Sequence, residues 1–155
     1  MRHDGIRLSG RHQWWFYGIF VTLFVSGLLW WVFHNWFQTN GEFGTTVHPS
    51  EKWWLKLHGA AAMGALVIFG TLLPTHVKRA WRARRNRGNG LLMLIVSGLL
   101  IVTGYGLYYL GEEKIRALTS WAHTCMGLAF PVLLAAHIWV GRGSRKSVSK
   151  AEHGK

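Results

Sequence analysis

The chain has 155 residues, half of them apolar, with ten Trp and eight Phe, and eighteen Lys and Arg against six Asp and Glu. So apolar a composition excludes a disordered chain. The lone cysteine, Cys125, excludes a disulfide scaffold, a four-cysteine zinc or iron–sulfur site and the Cys-x-x-Cys-His attachment of c-type haem.

In chain order, residues 14–34, 57–75, 88–111 and 117–141 contain no Asp, Glu, Lys or Arg, in runs of 21, 19, 24 and 25 residues. About 20 apolar residues suffice for a helix to cross ~30 Å of hydrocarbon. A water-soluble helix needs a polar face, and four successive segments lack a charged one. The prediction is an all-α protein, an integral membrane antiparallel four-helix bundle forming a single domain over residues 1–155. Its helices span about residues 14–36, 53–76, 89–110 and 119–141, followed by a basic tail at 142–155. The first run is too long and too rich in Trp for a cleavable signal peptide, and ends at His34-Asn35 without small residues.

The connections carry the charge. The N-terminal segment (Arg2, Arg7, Arg11), the 78–87 loop with six basic residues and the tail from Arg142 with five hold fourteen of the eighteen Lys and Arg. The positive-inside rule places both termini and that loop in the cytoplasm. Trp14, Trp15, Trp81 and Trp139 then mark the inner interface, and Trp36, Trp53, Trp54 and Trp121 the outer one. The basic excess is topology and contact with anionic membrane lipid, not a nucleic-acid footprint.

Val25-Ser26-Gly27-Leu28-Leu29-Trp30 of the first span recurs as Val96-Ser97-Gly98-Leu99-Leu100-Ile101 in the third, a weak internal repeat that suggests two related helical hairpins. The chemistry rests on histidine. His58 and His76 in the second span, and His123 and His137 in the fourth, lie in or at the ends of uncharged runs, where an ionisable group is costly and faces the bundle interior. His123 and His137 are 14 residues apart, ~21 Å of rise with both side chains on nearly one face. His58 and His76 are 18 apart, five whole turns of a regular helix. A single buried His is an ordinary cross-helix hydrogen-bonding group, but four stacked on two helices suit two haem irons, each taking two axial imidazoles. Gly27, Gly98, Ala60, Ala61, Ala62, Gly64 and Gly127 offer small surfaces for a porphyrin. Zinc or copper transport would bring carboxylates, Met clusters or thiols to the same faces. His34 and His48 lie at the outer side, as interfacial residues or as the lining of a quinol pocket or partner contact.

Over roughly residues 11–142 this pattern resembles the small dihaem b-type cytochromes of bacterial inner membranes, including the cytochrome b subunits of formate dehydrogenase and nickel–iron hydrogenase. The resemblance implies haem ligands at His123 and His137 of the fourth helix and at His58 of the second. The remaining inner ligand would be His12, in Arg11-His12-Gln13-Trp14-Trp15. Cytochromes of the quinol–cytochrome c reductase type instead place two ligands on each of two helices, which favours His76, although its spacing from His58 leaves it ~6 Å deeper than the fourth-helix pair. Pro74 permits a bend there. The expectation is an outer haem b on His58 and His123 and an inner haem b on His137 with His76, or with His12. Arg79 and Arg142, with Lys78 and Arg82, would pair with inner propionates, and Lys56 and Arg116 with outer ones. The expected function is an electron-transfer subunit rather than a complete enzyme. It would link membrane quinone to a periplasmic redox protein, such as a c-type cytochrome or an oxidoreductase subunit. The rival reading is a haem-free membrane scaffold or assembly protein with structural histidines.

Overall fold

The computed structural model describes residues 10–41, 44–84 and 86–152, the side chains of residues 11, 12 and 144–152 excepted. The architecture is helical: α1 Gly10–Trp36, α2 Glu51–Leu72, a π-helical turn Leu73–Val77, α3 Lys78–Arg82, α4 Arg87–Tyr109 and α5 Glu113–Glu152. Four helices are long and apolar enough to cross a membrane: Gln13–Trp36, Glu51–Arg82, Arg87–Tyr109 and Glu113–Gly143. The chain groups into two compact units, residues 1–79 and 80–155.

In the first unit α1 packs on α2 as a helical hairpin. Ile19 meets Gly64, Ser26 meets His58 and His34 meets Glu51, so residue numbers fall along α2 as they rise along α1. Small residues set the approach: a Cβ on Gly64 would stand 3.0 Å from Ile19 Cδ1, the device by which apolar helices pack closely. The connection holds a two-stranded ribbon that the sequence reading missed. β1 Thr39–Gly41 pairs antiparallel with β2 Gly44–Thr46, with Thr39 opposite Thr46 and their hydroxyls 3.0 Å apart. Gly44 has φ +114°, a conformation open to glycine.

In the second unit α4 packs on α5, with Asn89 against His137, Thr103 against His123 and Gly106 against Thr119. The Glu112 carboxylate caps α5 by accepting from the backbone N–H groups of Lys114 (3.1 Å) and Ile115 (2.7 Å), where the helix dipole favours negative charge. Before α4, the Trp81 carbonyl accepts from the Arg84 N–H and from Arg87 Nε and Nη2 at 3.2, 3.2 and 2.9 Å. Asn86 stands in the left-handed region at φ 49°, which Asn tolerates.

Several boundaries differ from expectation: α5 begins at Glu113 rather than near residue 119, and the second helical run continues to Arg82 rather than ending near 76. α1 begins at Gly10 rather than near residue 14. α5 continues to Glu152 through the segment expected as a tail, and neither Pro131 nor the glycines Gly127, Gly141 and Gly143 end it.

Among the described residues, the buried apolar side chains are Ala61, Ile68 and Phe130, and Ser26 is fully enclosed. Large apolar groups such as Val21, Met63, Val67, Val102 and Val132 face outward. Seven of the eight expected interfacial tryptophans are exposed. Trp54 is the exception: its indole lies beside Phe33 with centroids 6.4 Å apart, and its Nε1 is buried.

Candidate functional site

The span histidines are held across their own hairpins. His58 Nδ1–H donates to the Leu23 carbonyl of α1 at 2.9 Å, with Ser26 Oγ 3.3 Å away. A carbonyl only accepts, so this bond fixes the Nδ1–H tautomer and makes Nε2 the basic nitrogen. The Ser26 hydroxyl itself donates to Leu23 O at 3.1 Å. Gly27 lies against the ring: a Cβ there would stand 2.9 Å from His58 Cε1 and 3.0 Å from Nδ1.

The second hairpin repeats this construction. Thr103 Oγ1 of α4 lies 3.0 Å from His123 Nδ1 and donates its own hydrogen to Leu99 O at 2.7 Å. With its hydrogen on Leu99 O, the Thr103 oxygen can accept from a His123 Nδ1–H, the tautomer His58 adopts. The next residue, Gly104, lies against the ring, its absent Cβ 3.2 Å from His123 Cε1. A hydroxyl residue followed by glycine thus seats one imidazole in each unit. At Gly98 and Gly127, two of the small positions expected to border a porphyrin, an added Cβ would meet nothing within 4 Å. The structural counterpart of Ser26-Gly27 is Thr103-Gly104, and the signal was a Thr-Gly pair on the span facing His123.

His137 is half-buried and hydrogen-bonds to the backbone of Asn89 on α4. The fourth-helix spacing survives Pro131, because α5 is continuous from His123 to His137. His76 differs. It sits inside the π turn, where the Lys78 N–H bonds to Leu73 O, five residues back rather than four. The five-turn register with His58 belongs to a regular α-helix. A π turn inserts up to one residue, which carries His76 off that face by up to ~100° and reduces its excess depth by up to ~1.5 Å. His12 belongs to the first turn of α1, and its side chain lies outside the described residues.

Arg79 and Arg142 are exposed on α3 and α5, as are Lys78, Arg82 and Arg116. Lys56 lies over the Trp53 ring, 4.7 Å from its centroid. Among the described residues no three His, Cys, Asp or Glu side chains converge on one point. Zinc takes three or four such ligands, whereas an iron inside a porphyrin needs only one or two from protein. Two of the imidazoles suit the latter group, His58 and His123, each with Nδ1 beside a protein oxygen and its ring against a glycine. Metal-ligating His residues show the same commitment of the second nitrogen.

At the other end of the first hairpin, the His34 Nδ1–H donates to Glu51 Oε1 at 3.0 Å, and Trp30 stacks on His34 with centroids 4.9 Å apart. The sequence reading gave Glu51 no role. Comparison of the chain with protein-family models, with curated proteins and with solved structures finds no match.

Proposed function

We propose that the chain is an electron-transfer cytochrome b of the bacterial inner membrane, its four long helices an antiparallel bundle with both termini cytoplasmic. His58 and His123 are the axial ligands of an outer haem b. His137 serves an inner haem b with His76, or with His12, as its partner. The observation that carries this reading is the twice-built imidazole seat: His58 against Leu23, Ser26 and Gly27, and His123 against Thr103 and Gly104. Commitment of the second ring nitrogen to a protein oxygen is the usual setting of a metal-ligating imidazole, and the same setting recurs in both hairpins.

Haem, when bound, supplies a one-electron couple at its iron. The chain's own groups do the rest. Leu23 O and Thr103 Oγ1 fix ring orientation and raise the basicity of Nε2. Arg79 and Arg142 pair with inner propionates by charge-assisted hydrogen bonds. The uncharged spans exclude water, which favours a cofactor with a large apolar surface. Electrons pass between membrane quinone and a periplasmic redox protein.

Purified protein is expected to show a Soret band, and a pyridine haemochrome assay to give two haems b per chain. His58→Ala and His123→Ala should each remove the same low-spin centre and spare the other. Protein purified in full-length form without haem would leave the histidines structural and favour a scaffold.

A further inference from the structure

The 78–87 connection carries six basic residues, and the chain has no Asp or Glu between Glu51 and Glu112. Sidedness needs only the charge of such residues, which freely moving side chains supply. Arg87 is held in place. Its Nε and Nη2 donate to the Trp81 carbonyl at 3.2 and 2.9 Å, and its guanidinium carbon lies 5.0 Å from the centroid of the Trp81 ring. A guanidinium has five N–H donors, so three remain for a partner. The same carbonyl accepts from the backbone N–H of Arg84, whose side chain is exposed. Among the described residues the one ion pair is His34–Glu51, so neither Arg84 nor Arg87 has a carboxylate partner.

Two further features fix the chemistry of that partner. Trp81 is 47% exposed, and an indole at a membrane–water interface sits at headgroup level. The guanidinium lying over it is held at the same level. From Arg87, the exposed apolar residues Leu91, Ile95 and Leu99 follow at i+4 spacing and form one ridge of α4. The helix rises ~18 Å from Arg87 to Leu99, enough to line an acyl chain. A free phosphate or an acidic protein segment would engage the arginines and leave the ridge unused. An amphiphile with an anionic head uses both.

We propose that the Trp81–Arg87 turn and this ridge of α4 form a binding site for one anionic phospholipid. Its phosphodiester lies on Arg84 and Arg87, and an acyl chain runs along Leu91, Ile95 and Leu99. The site lies within the second compact unit. It rests on the membrane reading of the helices and is independent of haem.

The test is native mass spectrometry of the detergent-purified full chain titrated with dioleoylphosphatidylglycerol. Dioleoylphosphatidylcholine is the zwitterionic probe, and sn-glycerol 3-phosphate the probe without acyl chains. Wild-type protein is expected to bind one phosphatidylglycerol at least about tenfold more tightly than either. Arg87→Gln should weaken that binding about tenfold, as expected for loss of a charge-assisted hydrogen bond. Arg87→Lys should not restore it, because an ammonium lacks the planar fork that grips the carbonyl and stacks on the indole. Arg84→Gln removes no hydrogen bond within the described residues and should weaken binding several-fold. It keeps the test decisive if circular dichroism shows that Arg87→Gln does not fold. Lys114→Gln, which removes an equal charge at the opposite end of the hairpin, should leave binding unchanged. Equal affinity for the two lipids, an equal loss in Lys114→Gln, or wild-type affinity in Arg84→Gln or Arg87→Lys overturns the site. Glycerol phosphate bound as tightly as phosphatidylglycerol overturns the lipid as its occupant.

Discussion

A glycine beside each imidazole decides how close a ring can sit to its neighbouring helix. Gly27→Ala would force a methyl to 2.9 Å from His58 Cε1, inside van der Waals contact. Overpacking of this kind costs about 1–3 kcal/mol, so the variant should unfold earlier in a mixed-micelle denaturant titration and show a displaced outer centre. Gly98→Ala, with open space at its Cβ, is the matched control, and its stability should change by less than about 0.5 kcal/mol. Thr103→Val keeps the shape of the side chain and removes the acceptor at His123 Nδ1. The low-spin EPR signal of the outer centre is expected to shift, and Thr103→Ser to restore it. A signal indifferent to the hydroxyl would mean that Thr103 does not orient the ligand.

The second span shows how an element absorbs a breaker. Pro74 has no N–H for the Gly70 carbonyl, and its ring crowds the preceding turn. The chain answers with a π turn over Leu73–Val77, while the Thr75 hydroxyl donates to Thr71 O at 2.6 Å and the Thr71 hydroxyl to Ile68 O at 2.7 Å. Side-chain hydroxyls and local π geometry are the means by which apolar helices tolerate proline. Pro74→Ala restores the missing donor and should return the segment to α-helix, turning His76 by up to ~100°. With His76 as inner ligand, the variant loses or alters the inner low-spin signal. An unchanged signal in both Pro74→Ala and His76→Ala would assign the inner ligand to His12. In α5, by contrast, the α-helix runs through Pro131 without a π turn, so the depth relation of His123 and His137 follows from their spacing alone.

For the molecule as a whole, the proposed orientation rests on charge. Fourteen of the eighteen basic residues fall in the N-terminal segment, the 78–87 loop and the tail, and moving such clusters across a membrane is unfavourable. A periplasm-active reporter fused after Lys155 is therefore expected to stay silent, while one inserted at Glu112 should be active. The opposite pattern would exchange the inner and outer labels of both haems. The proposed sidedness rests on charge and not on the exposed apolar side chains, because those are compatible with either orientation.

Four uncharged runs of membrane-spanning length, their order and the basic loops were legible in the sequence, because solvation of charge is a property of composition and needs no neighbour. The candidate ligands His58, His123 and His137 were legible for the same reason: an ionisable group in an apolar run is visible without coordinates. What needed tertiary structure was every relation between one helix and the next. The repeat aligns Gly27 with Gly98, whereas the glycine that meets the second ring as Gly27 meets the first is Gly104. The alignment of His76 with His58 assumed a regular helix, and the π turn after Pro74 removes that assumption. The Glu51–His34 pair joins residues 17 apart across a loop. Only the packing of α1 on α2 brings them together, and the same packing buries the second oxygen of Glu51.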